Sequence, residues 1–416
     1  MNKKQYLLDN SAILHLAAMR KNHTNLYRMS LVLTEHVDPV ILQKALNEIT
    51  PHFPIIIAGI RHNFYHHYLV PVDKPPKVRP ERECLAPMSK KEMEQCAFRL
   101  LYQENKIHVE VFHSLSDGYG GLTLLYMLLS KYFYYKYPDT ISEITKFPGI
   151  DDADFQEKTA DDYFTYAGEQ KEKPRQKNTT LIPGTIASDQ QVRYTVTTVK
   201  SDIIVQTARK YGVSATVFLT AVMIESVKQF YQQHQHKKPS KPIQIMVPVN
   251  LRKLFKSKTL HNFTLPVFAC QEVINMNQSF EQLLSDIKTQ FELQNKKEHM
   301  EKVMATYTKS SNFFLYKILP IQIKCGLMRM IQLIFGENNS CISLSNLGIF
   351  TLPEEIQPFV KKVHVMLMPR IKSPYNCGII SNNGTMTFTF SRKCLHPDFD
   401  KVFFQTLDCY CGQKEN

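Results

Sequence analysis

One abrupt change of rhythm, across residues 107 to 129 (IHVEVFHSLSDGYGGLTLLYMLL), constrains the fold more than any other stretch. Ile107, Val109 and Val111 alternate with His108, Glu110 and Phe112 at the two-residue period of a half-buried strand, while residues 122 to 133 read as an apolar helix. His113 therefore lies at a strand-to-helix junction. Regular elements fix the position of such a junction while the turn leaves an edge of the ring reachable, which is how catalytic side chains are commonly displayed. Gly118, Gly120 and Gly121 permit close backbone approach there, either to a ligand or to a neighbouring strand.

The same alternation of strand and helix patterns runs on both sides of this junction. Upstream, NLYRMSLVL is strand-like, and DPVILQKALNEI opens with Asp38 as N-cap and Pro39 at the first helical position. The segments PIIIAGIRH and FYHHYLVPV read as strands, and a hairpin closed at Glu104, Asn105 and Lys106 delivers His113. Residues 138 to 190 lose this patterning to acidic and polar stretches with several Pro and Gly. Downstream, a strand over 192 to 199 leads to a helix stopped at Gly212 and a second helix capped by Ser214. A strand beginning IQIMVPV follows, then a long helix over 279 to 300, strands over 341 to 350 and 363 to 369, a hairpin turning at 382 to 384, and a closing helix around 399 to 411. The expectation is an α/β protein with mixed sheets, an N-terminal lobe over 1–150, a linker over 151–190 and a C-terminal lobe over 191–416. A length of 416 residues suits two domains of about 200 residues each. No convincing internal repeat is present.

Charge narrows the partners without choosing one. A formal charge of +13 and a pI near 9.1 attract nucleic acid, anionic lipid and phosphorylated cofactors alike. The chain has no RNA-binding aromatic signature, no zinc-finger spacing and no helix with a dense basic stripe, so nucleic acid is set aside. The N-terminal apolar run is broken by Asp9, Asn10 and His15 and does not read as a signal peptide, which implies a cytoplasmic protein. Residues 313 to 335 contain Lys317, Pro320, Lys324 and Arg329, which argue for a buried amphipathic helix pair rather than a membrane span. Nine cysteines without any C-x-x-C pair imply reduced thiols, Cys409 and Cys411 included. The pairs His66 and His67, and His234 and His236, lack a carboxylate or cysteine at ligand spacing, so no metal site is expected.

His113 carries the chemistry. A neutral imidazole takes a proton from a hydroxyl or amine because its ordinary pKa, about 6.5, lies near working pH. On spacing alone, His113 with Asp117 four residues on reads more readily as a hydrogen-bonded histidine at a strand end than as a general base.

Taken with its flanking strand and helix, FHSLSDGYGG resembles the H-x-x-x-D-G signature of the CoA-dependent acyltransferase superfamily, which includes chloramphenicol acetyltransferases, condensation domains, plant BAHD enzymes and bacterial alcohol acetyltransferases. The resemblance runs through nearly the whole chain: LLDNSAILHLAAM and LYRMSLVLTEHVDPVILQKALNEITPHFP resemble the family's opening, PVNLRKLFKSKTLHNF its second-half arginine segment, and SNLG at 345 to 348 its crossover strand. It implies two similar chloramphenicol acetyltransferase-like lobes with an active-site tunnel between them. It implies His113 as general base in direct attack on a thioester, followed by Gly118, and Asp117 as a structural carboxylate paired with Arg252. Ser345 and Asn346 would line the tunnel opposite His113 and steady an oxyanion, or else only satisfy backbone groups; Asn262 would support the second lobe's sheet. The basic run RKLFKSK at 252 to 258 reads as a contact for CoA phosphates or as an exposed turn.

Departures from the pattern narrow the group. Phe112 stands where condensation domains carry a first histidine, and a chain without tryptophan cannot hold the BAHD segment D-F-G-W-G. The single histidine with PVNLRK and SNLG looks most like the alcohol acetyltransferases. The expected partners are therefore acetyl-CoA or another acyl-CoA and a small-molecule alcohol, with no metal, no nucleic acid and no stable membrane span, in a monomer. Two alternatives stand: a condensation-type enzyme taking its acyl group from an acyl carrier protein, and a catalytically inactive member that binds acyl donors or partners.

Overall fold

The computed structural model describes residues 5–8, 10–20, 23–144, 155–172, 178–189, 191–235, 238–311, 319–331, 339–370 and 372–412. In the first half the described elements are β1 (Tyr6–Leu7), α1 (Asn10–Ala17), β2 (Leu26–Leu33), α2 (Pro39–Ile49), β3 (Ala58–His62), β4 (His67–Pro71), β5 (Arg79–Pro80), α3 (Lys90–Gln95), β6 (Phe98–Gln103), β7 (Lys106–Phe112) and α4 (Gly118–Lys136). Two short helices, α5 (Phe155–Lys158) and α6 (Asp162–Thr165), lie in the connecting stretch. The second half continues with β8 (Arg193–Lys200), α7 (Ser201–Lys210), α8 (Ala215–Gln235), β9 (Ile243–Asn250), α9 (Arg252–Phe255), β10 (Thr264–Gln271), α10 (Phe280–Gln294), α11 (Lys297–Ser311), α12 (Ile321–Ile331), β11 (Ile342–Ile349), β12 (Val360–Leu367), β13 (Tyr375–Asn382), β14 (Thr385–Arg392) and α13 (Asp398–Cys411).

These elements form a two-lobed mixed α/β architecture around two sheets. The first has strand order β12-β2-β7-β6-β5 and the second β10-β9-β11-β13-β14-β8; β1, β4 and β3 make a small third sheet. Alternation decides which face of each strand is buried against helices. On β2, Tyr27, Met29, Leu31 and Leu33 enter the core shared with α2 and α4, together with Val109 and Val111 of β7. The second core gathers Phe218 and Val222 of α8, Leu283 and Ile287 of α10 and Phe399 and Phe403 of α13 against β9, β13 and β14. Strand β12, late in the sequence, pairs antiparallel with β2, with Val363 opposite Leu31. It then lies against β13, where a side chain at Gly378 would strike the Val365 carbonyl.

Capping residues place several boundaries where the sequence puts them. Asp38 accepts from Val40 N and Ile41 N at the start of α2, Gly212 ends the first of the paired helices at φ 67°, and Asn383 and Gly384 make the β13–β14 turn with φ 47° and 70°. Three expectations need correction. Residues 54–57 do not extend β3: Ile56 N and Ile57 N both turn back to the Phe53 carbonyl, so this apolar run is a buried turn, which periodicity alone cannot tell from a strand. The helix expected over 279 to 300 is two helices, α10 and α11, separated at Asn295, where the chain leaves helical geometry without glycine or proline. Of the buried helix pair expected over 313 to 335, α12 falls among the described residues and leaves Ile323, Leu327 and Met330 exposed, so this helix is only partly buried; 312–318 and 332–338, where the other helix would fall, lie outside the described residues. Among the described residues no single helix is long and apolar enough to cross a membrane.

Candidate active site

The turn after β7 is held from both halves of the molecule. His113 N donates to the Asn25 carbonyl at 2.8 Å, continuing the β2–β7 ladder by one rung. Ser114 Oγ donates to the Ala12 carbonyl on α1 at 2.6 Å, and Ser116 Oγ to the Leu260 carbonyl at 2.5 Å. The glycines after Asp117 serve protein contact: a Cβ on Gly120 would lie 2.9 Å from the Leu260 carbonyl and one on Gly121 would lie 2.7 Å from the Tyr27 hydroxyl. Helix α4 can begin this close to β2 only without side chains.

Asp117 is 1% exposed and sits at the N-cap of α4. Its Oδ1 accepts from Tyr119 N at 3.1 Å and Gly120 N at 3.3 Å, meeting two helix-end donors that have no partner within the helix. Its Oδ2 accepts from Arg252 Nη1 at 2.9 Å and Phe263 N at 2.8 Å. Arg252 in turn donates through Nε to the Thr259 carbonyl at 2.7 Å, through Nη2 to the His261 carbonyl at 2.6 Å and through Nη1 to Asn250 Oδ1 at 3.1 Å. Its guanidinium lies 4.4 Å from the centre of the Tyr119 ring. A carboxylate and a guanidinium removed from water in this way are stable because each of their nitrogen and oxygen atoms finds a partner. The pair ties the start of α4 to α9 and to the loop leading into β10.

The His113 ring is half-buried, and one edge of it is fixed. The Asn262 amide nitrogen donates to the His113 carbonyl at 2.8 Å, which turns the amide oxygen toward the ring; that oxygen is 3.2 Å from Nδ1. Nδ1 therefore carries the proton, and Nε2, with no hydrogen-bond partner among the described residues, keeps its lone pair. Desolvation pushes His113 below the ordinary imidazole value, while its own carbonyl, Asp117 and Asn262 pull the other way. The ring is packed by two more aromatic groups. Tyr27 meets it edge-on at 5.2 Å, with its hydroxyl on the Asp117 carbonyl at 2.9 Å, and His15 of α1 stacks on it with centroids 4.2 Å apart and planes 15° apart. Neither Tyr27 nor His15 stands out in the sequence as a site residue, since both approach from elements remote in the chain.

The remaining candidates lie on the second lobe. Ser345 and Asn346 are on β11; Ser345 is buried opposite Gly378, and Asn346 Nδ2 donates to Thr216 Oγ1 at 3.3 Å. The next residue, Leu347, packs on Gly118, where a Cβ would stand 2.5 Å from its Cδ2. A cavity of about 530 Å³ opens among α8, β9, β10 and α10, lined by Val217, Val247, Phe291, Lys288, Asn250 and Asn346. Asn250 links its wall to the Asp117–Arg252 pair, and His113 is not among its lining residues. Within the basic run, Arg252 is taken up by its ion pair, Lys253 and Lys256 are exposed, and Lys258 pairs with Glu157 at 3.2 Å. Among the described residues no group of three or more His, Cys, Asp or Glu is placed to hold a metal ion.

No family model matches the sequence, and no curated protein matches it. Solved structures do resemble it. Polyketide synthase associated protein 5 from Mycobacterium tuberculosis shares 13% identity, with 98% of each chain covered and a TM-score of 0.60. A trichothecene 15-O-acetyltransferase from Fusarium sporotrichioides shares 10%, covering 98% of this chain and 94% of that one, with a TM-score of 0.62. The condensation domain of the Monacolin K polyketide synthase MokA shares 12%, covering 99% and 96%, with a TM-score of 0.58. At these identities the likeness establishes architecture, and it gives this chain the two-lobed fold common to condensation domains and chloramphenicol acetyltransferase-like acyltransferases.

Proposed function

We propose that the protein is an acyltransferase that moves an acyl group, acetyl in the simplest case, from acyl-CoA to an alcohol, with His113 as general base. The observation that carries this reading is the fixed tautomer of His113: Asn262 occupies Nδ1 and leaves Nε2 able to accept a proton. In the proposed reaction the acceptor hydroxyl gives its proton to Nε2 as its oxygen attacks the thioester carbonyl. The tetrahedral oxyanion then collapses, the C–S bond breaks, and the departing thiolate takes the proton from the imidazolium. Ester and free thiol result. A base of this kind contributes about 10² to 10⁴ in rate, leaving the rest to positioning and to stabilisation of the oxyanion.

Asp117 and Arg252 are assigned to holding the turn, since all their polar atoms face protein partners. Gly118 keeps the backbone clear for Leu347, and Ser345 and Asn346 on the same strand are proposed to face the reacting acyl group. The passage for donor and acceptor is proposed to run between the lobes past His113, with the cavity walled by Asn250 and Asn346 as part of it. A second reading, transfer from an acyl carrier protein, draws support from the condensation domains that share the fold.

Incubating the protein with acetyl-CoA and a panel of primary and secondary alcohols, while following free thiol, tests the proposal. Thiol release that depends on both the alcohol and His113 supports it. Release only from an acylated carrier protein replaces it with the second reading, and no release from either donor overturns both.

A further inference from the structure

The two stacked imidazoles are held as a unit. Asn25 joins them: its carbonyl accepts the His113 amide proton at 2.8 Å, and its side-chain amide nitrogen lies 2.9 Å from His15 Nδ1. That nitrogen can only donate, so His15 Nδ1 must offer a lone pair, and the ring is the neutral form with its proton on Nε2. A second tie, from Ser114 Oγ to the Ala12 carbonyl, fixes α1 one turn before His15. The two rings thus have opposite tautomers, each set by an asparagine: Asn25 donates to one Nδ1, and Asn262 accepts from the other.

We propose that His15 is a positioning residue for the reaction at His113: a second, uncharged imidazole whose face fixes the plane of the basic ring and receives the imidazolium face-on when that ring takes up the acceptor's proton. The inference rests on His113 being the base. Parallel rings 4.2 Å apart do not carry two positive charges together, so the stack takes up only one proton beyond the one each neutral ring already holds. Desolvation and the neighbouring His113 keep His15 well below the ordinary imidazole value, which leaves that proton to His113. A neutral π face over a cation is the geometry of a cation–π contact, and it forms only once the proton has moved. The other titratable groups facing His113 have fixed roles. Tyr27 from β2 is engaged with the Asp117 carbonyl, Asp117 from α4 is paired with Arg252, and His261, next to Asn262, is pulled down to about 4 by burial and Arg252.

The test compares His15→Leu and His15→Phe in the full chain labelled with 15N-histidine. Leucine fills the space without a flat face; phenylalanine restores the face. Long-range proton–nitrogen spectra, with His113 assigned from His113→Gln, read its tautomer and titration midpoint. The expected result is that His15→Phe keeps the single Nδ1–H tautomer and a midpoint near wild type. In His15→Leu the tautomers mix and the midpoint moves by more than the difference between Phe and wild type. With the acyl-transfer assay, kcat falls about tenfold in His15→Leu at unchanged KM and returns in His15→Phe. Identical His113 spectra in His15→Leu and wild type overturn the proposal. If His15→Leu does not fold, Asn25→Ala, which frees the His15 ring but keeps the Asn25 carbonyl on the His113 amide, carries the same comparison. Absence of any acyl transfer by the wild type would sink the enzymatic reading, and the ring spectra would still decide whether His15 orders His113.

Discussion

At the scale of single residues the candidate site separates into the proposed base, His113, and groups that hold it. His113→Ala removes a half-buried ring whose one side-chain hydrogen-bond partner among the described residues is Asn262, so we expect a folded protein with a melting temperature close to wild type and turnover lowered about 10² to 10⁴-fold. Asp117→Asn behaves differently. The new amide can still cap α4 with its oxygen, but its NH2 group then faces the Arg252 guanidinium and the Phe263 N–H, so donors meet donors in a buried site. Breaking one side of such a buried pair costs roughly 3 to 5 kcal/mol. Urea unfolding should show that loss alongside reduced activity, and an unchanged midpoint would contradict the structural assignment of Asp117. The sequence made His113, Asp117 and Arg252 legible because they sit in local motifs with family precedent. It could not reveal His15 or Tyr27, whose closeness to His113 is created by the pairing of β2 with β7 and by the docking of α1. The bond from Asn262 to the ring is likewise tertiary: the residue was visible in LHNF, and the geometry that sets the tautomer was not.

At the scale of elements, α4 shows how much its packing against β2 and the 260 loop depends on two missing side chains. Gly120→Ala would press a methyl group against the Leu260 carbonyl, which is backbone and cannot move aside, and into Ser116 Oγ as well. Overpacking of this kind costs about 1 to 3 kcal/mol. The expected readout is a lowered urea midpoint in Gly120→Ala together with reduced turnover, because Ser116 belongs to the turn that displays His113; a midpoint equal to wild type would show that the contact yields. Elements with strong local chemistry, such as α2 with its Asp38 cap or the Asn383–Gly384 turn, were readable to within a residue or two. Those shaped by burial were not. The run Ile55, Ile56 and Ile57 is fully buried as a turn, and nothing in its composition distinguishes that from a strand. The α10–α11 break likewise leaves no glycine or proline to announce it.

At the scale of the whole molecule, the buried histidines make the fold sensitive to acid. Desolvation, the leading cause in each case, holds His23, His67 and His261 at about 4 and His364 at about 3. Each stays neutral in the folded chain but would take a proton below about 6.5 once unfolded, so its contribution is present above pH 6.5 and is lost as pH falls toward 4. Asp161 and Asp400, raised to about 6 by burial, act in the opposite sense, since their protonated forms favour the fold at low pH and that contribution fades as pH rises from about 4 to 6. The four histidines outweigh the two aspartates. Each can shift stability by at most roughly 1.4 kcal/mol per pH unit. We therefore expect melting temperature to fall steadily between pH 7 and pH 5, with net proton uptake on unfolding; a flat profile over that range would show that these rings are solvated.

The placement of β12 has a further bearing on how the chain is made and handled. A ribosome that has released only the first half has produced β2 with one side unclaimed, a row of free amides and carbonyls that stays open until residues 360–367 emerge. Folding of the half that holds β2 and β7 is thus deferred almost to the end of synthesis, and the growing polypeptide is most prone to stick to its neighbours during that interval. Dissecting the gene at the middle would make that passing vulnerability permanent.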